Sequence, residues 1–134
     1  MVAERENAAD LKERTKAFAL RIIRLYSALP KSTEGQVIGR QLLRSGTSVG
    51  AHYREAIRSR SAAEYTSKLQ GGLQELEESA YWMELLVSAE LVPAARLSEL
   101  RAEAEELTSI LVTCVRKAKE GRTGNEKRRR KSEE

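Results

Sequence analysis

Apolar residues recur along most of this chain at intervals of three and four, the spacing that lines them up on one side of an α-helix. Leu11, Phe18, Ile22, Leu25 and Leu29 keep that rhythm in the first segment, and Ala19, Ile23 and Tyr26 widen the stripe. Lys12, Lys16, Arg21 and Arg24 fall mainly on the other side. Pro30 ends the run, because its ring clashes with the preceding turn and it brings no amide hydrogen. The pattern predicts a first helix over about 7–29.

A second helix is expected to begin at Ser32 or Thr33, where Thr33 and Gln36 have the spacing of a capping box. It continues through Val37, Ile38, Leu42, Leu43, Val49, Tyr53 and Ile57. Gly46 and Gly50 interrupt it, each worth about 1 kcal/mol against Ala in a helix. They are four residues apart and share a face, so a neighbouring helix can approach closely there. The alternative, a phosphate-cradling glycine loop, lacks a preceding strand and a following Gly-Lys-Ser/Thr.

Ser61 and Glu64 form a second capping box, opening a helix that reaches about residue 90. Its stripe is Tyr65, Leu69, Leu73, Leu76, Ala80, Met83 and Val87, broadened by Trp82, Leu85, Leu86 and Ala89. Gly71 and Gly72 mark either a kink or a tight helix crossing. Pro93 stands where a fourth helix begins, and Leu97, Leu100, Ala104, Leu107, Leu111 and Cys114 repeat at heptad spacing. After Gly121 the pattern stops. The expected architecture is all-α: an antiparallel up-down-up-down four-helix bundle over 1–120, with a disordered basic tail over 121–134.

Composition agrees with this reading. Charged residues make up 33% of the chain, with two prolines and one phenylalanine, and runs of β-branched or aromatic residues long enough for strands are absent. One cysteine, Cys114, excludes an internal disulfide or a multi-cysteine zinc site and reads as a small apolar core residue. The first ten residues carry charge and no apolar signal region, and no stretch approaches the roughly 20 apolar residues of a membrane span. A cytoplasmic protein is expected.

Charge adds a further feature. Residues 1–60 hold 12 Lys/Arg against 6 Asp/Glu, residues 61–110 hold 3 against 10, and residues 111–134 hold 9 against 4. Arg40, Arg44, Arg54 and Arg58 fall near one stripe of the second helix, and Arg60 extends it. Arginines clustered this way are the footprint of a phosphate-binding surface; equally, they fit pairing with glutamates of a neighbouring subunit. The tail run Lys127, Arg128, Arg129, Arg130 and Lys131 adds attraction for any polyanion.

Catalytic chemistry finds little purchase. His52 is the single histidine, which leaves Ser-His-Asp arrangements and multi-histidine metal sites little to stand on, and a di-metal carboxylate centre needs two Glu-x-x-His elements. The helical ribonucleases of the HEPN type have an arginine followed, after four to six residues, by a histidine. Arg44 and His52 are separated by seven, and the surrounding residues do not match. His52 and Tyr53, with Gly46 and Gly50, are read as packing or interface residues; no catalytic set, metal or cofactor is expected.

Three stretches, QLLRSGTSVGAHYREA (41–56), RSAAEYTSKL (60–69) and ELEESAYWMELLVSAELV (75–92), resemble the four-helix-bundle proteins named for 23S rRNA intervening sequences. The resemblance spans about residues 10–120. It implies a homopentamer with a central channel, similar in fold to the accessory proteins of diversity-generating retroelements, which bind RNA and a reverse transcriptase through a basic surface. Motifs of this type commonly carry Asn where this chain has His52. The function expected is non-enzymatic binding of RNA or DNA by an oligomeric bundle; the alternative is an adaptor that binds a protein partner, its arginines used in subunit contacts.

Overall fold

Two serines decide where two of the helices start. Ser32 accepts a hydrogen bond from the Gly35 amide at 3.2 Å and Ser61 one from the Glu64 amide at 3.1 Å, each satisfying a donor that the helix leaves unpaired. The first of these caps lies one residue before Thr33. Gln36 does not complete a box: its side-chain amide donates to the Pro30 carbonyl, and its oxygen accepts from the Tyr26 hydroxyl, each at 3.2 Å. The computed structural model describes the backbone of residues 2–133 and the side chains of Ala8, of residues 10–121, of Arg128 and of residues 130–132. It contains α1 (Val2–Ala28), α2 (Thr33–Ile57), α3 (Ala62–Ser88) and α4 (Ala94–Glu133), and no strand among the described residues.

Short connections turn each helix back on the one before it, giving the antiparallel bundle. α2 packs on α1 and α3, and α3 on α4; α1 and α4 meet sparsely. The α3–α4 turn closes with Glu90 in the left-handed region (φ 59°). The Leu91 amide donates to the Leu86 carbonyl and the Glu90 amide to the Val87 carbonyl, the double bond of a Schellman stop.

Phe18 and Ile22 from α1, Leu42 and Val49 from α2, Leu69, Leu76, Met83 and Leu86 from α3, and Leu97, Leu107 and Leu111 from α4 form the fully buried core. The stripes of α1 and α4 lie where the spacing predicts. On α4, Val115 is buried and Cys114 is half-buried, since 3.6 residues per turn drifts away from a strict heptad. The buried face of α3 is turned from the predicted one: Leu73 and Val87 are half-buried and Ala80 is exposed, while Thr66, Gly72, Ser79 and Leu86 are buried.

Thr15, Ser45 and Ser79 place hydroxyls inside this core with partners close by, while Thr66 Oγ1 is buried with no hydrogen-bond partner among the described residues. Thr15 Oγ1 donates to the Leu11 carbonyl of its own helix at 2.8 Å, and Ser45 and Ser79 bond each other at 2.8 Å between α2 and α3. α2 and α3 run unbroken through their glycines. A Cβ on Gly46 would lie 2.8 Å from Ile22, and one on Gly50 would lie 3.1 Å from Thr15 Oγ1, so both glycines serve close packing against α1. Gly71 marks a tight crossing, since a Cβ there would meet His52 Nδ1 at 2.8 Å.

The segment 121–134 continues the α4 backbone as far as Glu133 but contributes no buried side chain among the described ones, consistent with the disordered tail expected there. A helix without a packing partner rests on local propensity, which is marginal in water. No helix among the described residues is long and apolar enough to cross a membrane.

Candidate nucleic-acid interface

The core side of α2 is set by Leu42, Val49 and Tyr53, and at 100° per residue Arg40, Arg44, Arg54 and Arg58 fall on the opposite side. Arg40 and Arg58 are exposed and Arg54 is half-buried. Arg58 is the residue that ends α2, and Arg60 follows, exposed, in the turn to α3. Arg54 lies in the last turn of the helix, where the dipole favours a cation. Arg40, Arg54, Arg58 and Arg60 make no side-chain hydrogen bond or ion pair to any described residue.

Arg44 differs from its neighbours on the stripe. Its guanidinium bonds Glu75 at 3.3 Å and also pairs with Glu78, both on α3 of the same chain. The glutamates that satisfy it come from within the bundle. Glu75 is largely buried, with 14% of its side chain exposed, so Arg44 neutralises a carboxylate that α2 and α3 enclose.

His52 Nε2 lies 4.0 Å from the same Glu75 carboxylate, and its Nδ1 is buried against Gly71 with no hydrogen-bond partner. The ring is therefore a packing element of the α2–α3 contact, not a fully satisfied polar group. Tyr53 is buried, its hydroxyl donating to the Ala8 carbonyl at 3.4 Å, and burial pushes the phenol well above its ordinary range. Burial likewise raises the Cys114 thiol and keeps it protonated. Lys68 and Glu55 form a third α2–α3 link at 2.9 Å, which holds the Glu55 carboxylate below its usual value.

Of the tail run, Arg128, Arg130 and Lys131 are exposed on the α4 extension; the side chains of Lys127 and Arg129 lie outside the described residues. Among the described residues no group of three or more His, Cys, Asp or Glu is arranged to hold a metal ion.

Periodicity does not reveal Arg14. From α1 it bonds Glu103 of α4 through Nη2 at 2.7 Å and Nε at 3.3 Å, and Glu106 at 3.0 Å. The Glu103 bond, opposed in part by burial, makes this guanidinium still harder to deprotonate. It is the main polar link across the sparse α1–α4 seam. Acidic residues early in α4 and basic residues in α1 were a signal for such a pair, but their register was not readable.

Fold and surface together define a helical-bundle protein with a basic α2 face and a second ion-pair layer holding its helices together. The chain belongs to the 23S rRNA-intervening sequence protein family, whose sequence profile matches residues 8–113. It is also similar to a protein of unknown function from the S23 ribosomal protein family of Bacteroides thetaiotaomicron, known from a 1.70 Å crystal structure. The two are 33% identical with a TM-score of 0.77, over 81% of this chain and 97% of that one. No curated protein matches the chain.

Proposed function

We propose that this protein binds the phosphate backbone of RNA or another nucleic acid through the outer face of α2. The observation that carries this reading is the contrast within one stripe: Arg44 is taken up by Glu75 and Glu78, while the guanidinium groups of Arg40, Arg54, Arg58 and Arg60 have no acidic partner among the described residues. Four guanidiniums standing free along about five helical turns and the start of the α2–α3 connection match repeated phosphates better than a single small ligand. Arg128, Arg130 and Lys131 on the α4 extension add charge of the same sign. Few aromatics accompany these groups, so contact with the backbone is favoured over base stacking.

The test is a salt titration of RNA binding. Each phosphate neutralised contributes about −0.7 to the slope of log K against log salt for a single strand. Replacing Arg40, Arg54, Arg58 and Arg60 by Ala is expected to flatten that slope by up to about three, with the fold intact by circular dichroism. Arg44→Ala should leave the slope nearly unchanged. Equal slopes for the fourfold variant and the native chain would refute the role of this face.

A second reading has its own observation. Glu77, Glu84, Glu99, Glu105 and Glu106 are exposed on α3 and α4, so the basic α2 face of one copy has an acidic complement on another. Under that reading the arginines hold a homo-oligomer together, a pentamer if it follows the assembly implied by the family resemblance. The fourfold variant would then shrink in light scattering, whereas a nucleic-acid surface leaves the mass unchanged.

A further inference from the structure

The seam between α1 and α4 contains one matched pair and one mismatched pair in the same register. Arg14 faces Glu103 and bonds it twice. Seven residues along α1 stands Arg21, and seven residues back along α4 stands Arg96. Seven residues is close to two helical turns, and the helices are antiparallel, so Arg21 and Arg96 occupy the positions equivalent to Arg14 and Glu103. Here an arginine faces an arginine.

Both line a single open cleft of about 290 Å³, together with Arg24 and the apolar side chains of Leu25, Leu97 and Leu100. None of the three guanidiniums makes an ion pair or hydrogen bond to a described residue. Arg96 is misplaced in a second respect. It sits in the first turn of α4, where the helix dipole opposes a cation, and that turn has no acidic residue. Glu99, three residues further on, forms no ion pair among the described residues.

Like charges converging on a partly apolar cleft repel one another, and a multiply charged anion between them reverses the sign of the interaction. The guanidinium fork matches a phosphate, and the leucine floor gives the body of a nucleotide an apolar surface to lie on. The volume, near the lower limit for small-molecule sites, suits one nucleotide unit. We infer that this cleft binds a phosphate group, carried by a free mononucleotide or by the phosphorylated end of a strand. The site lies on the α1–α4 side of the bundle and stands independently of the α2 face.

Thermal unfolding of the full chain at matched ionic strength tests it, with inorganic phosphate, a nucleoside 5′-monophosphate, the bare nucleoside, and a short RNA with and without a 5′-phosphate. Phosphate and the monophosphate are expected to raise Tm by about 3–6 °C, and the nucleoside to leave it in place. A larger shift with the 5′-phosphorylated RNA than with its hydroxyl form assigns the strand end, and equal shifts for the two RNAs assign the free nucleotide. Phosphate also stabilises proteins generally by exclusion from their surface, so the deciding comparison is Arg96→Glu. That substitution restores the acid-opposite-arginine arrangement of the Arg14 layer. It should raise Tm without any anion and abolish the specific phosphate response. An identical phosphate shift in native and Arg96→Glu protein, or no shift in the native chain, would overturn the assignment.

Discussion

Helix α1 meets its two neighbours in opposite ways. Against α2 the contact is short and made by small residues: Gly39 accommodates Leu29 and Tyr26, Gly46 accommodates Ile22, and Gly50 accommodates Thr15. Against α4 the helices meet sparsely, and long side chains span the space, with Arg14 reaching Glu103 and Glu106. Close helix approach excludes side chains and converts dispersion and burial into stability. A wide seam leaves room for charged groups and water, and the stabilisation it gains is electrostatic and screened. The α1–α2 contact is therefore the structural half of the molecule, and the α1–α4 seam is the half able to accept a ligand.

The strongest way to break the comparison is on the close side. Ile22 is fully buried against Gly46, and Ile22→Ala should destabilise the protein by about 2–5 kcal/mol in urea unfolding. Next is Gly46→Leu, which drives a side chain into Ile22 and should cost about 1–3 kcal/mol, part of it offset by better helix propensity. Combining Gly46→Ala with Ile22→Ala sharpens the point. The added methyl should then be neutral or favourable, and the double-mutant cycle should return a coupling of about 1 kcal/mol. Strict additivity would show that the glycine does not serve this contact.

On the open side the effects should be smaller. Arg14→Ala removes a partly exposed network and is expected to cost about 1 kcal/mol or less, an amount that shrinks in high salt. A loss as large as that of Ile22→Ala would mean that the seam is as tightly packed as its counterpart. The smallest effect belongs to Lys68 and Glu55, at the surface between α2 and α3. Lys68 holds the Glu55 carboxylate below its ordinary 4.5. A depressed carboxylate contributes its stability above that value and loses it as pH falls through the lowered one. The stabilities of native and Lys68→Ala protein, followed by unfolding across an acid titration, should therefore differ slightly above about pH 4.5 and converge as pH falls below it.

Much of the fold was readable from local pattern. Pro30, Ser32, Ser61 and Pro93 punctuate the chain because caps and proline act within one turn. The α1 stripe and the α4 seam were legible because both are dense in large aliphatic residues, chiefly Leu. The face of α3 was harder, since it has apolar residues on more than one side and its buried positions include Thr66, Gly72 and Ser79. Of the candidate site, the arginine stripe itself was legible, as 100° steps place it away from the core. That Arg44 turns to Glu75 and Glu78 was not, nor was the Arg21–Arg96 mismatch, because each depends on how two helices are shifted along each other.

Periodicity, caps and breaks were enough to determine four helices, their approximate limits, and a basic first half set against an acidic middle. These are properties of a residue and its near neighbours in the chain. The tertiary structure alone decided which charges were neutralised, which glycines faced a partner and which seam stayed open. Those outcomes depend on rotation and register between helices, where a shift of one residue turns a side chain by 100° and exchanges one partner for another.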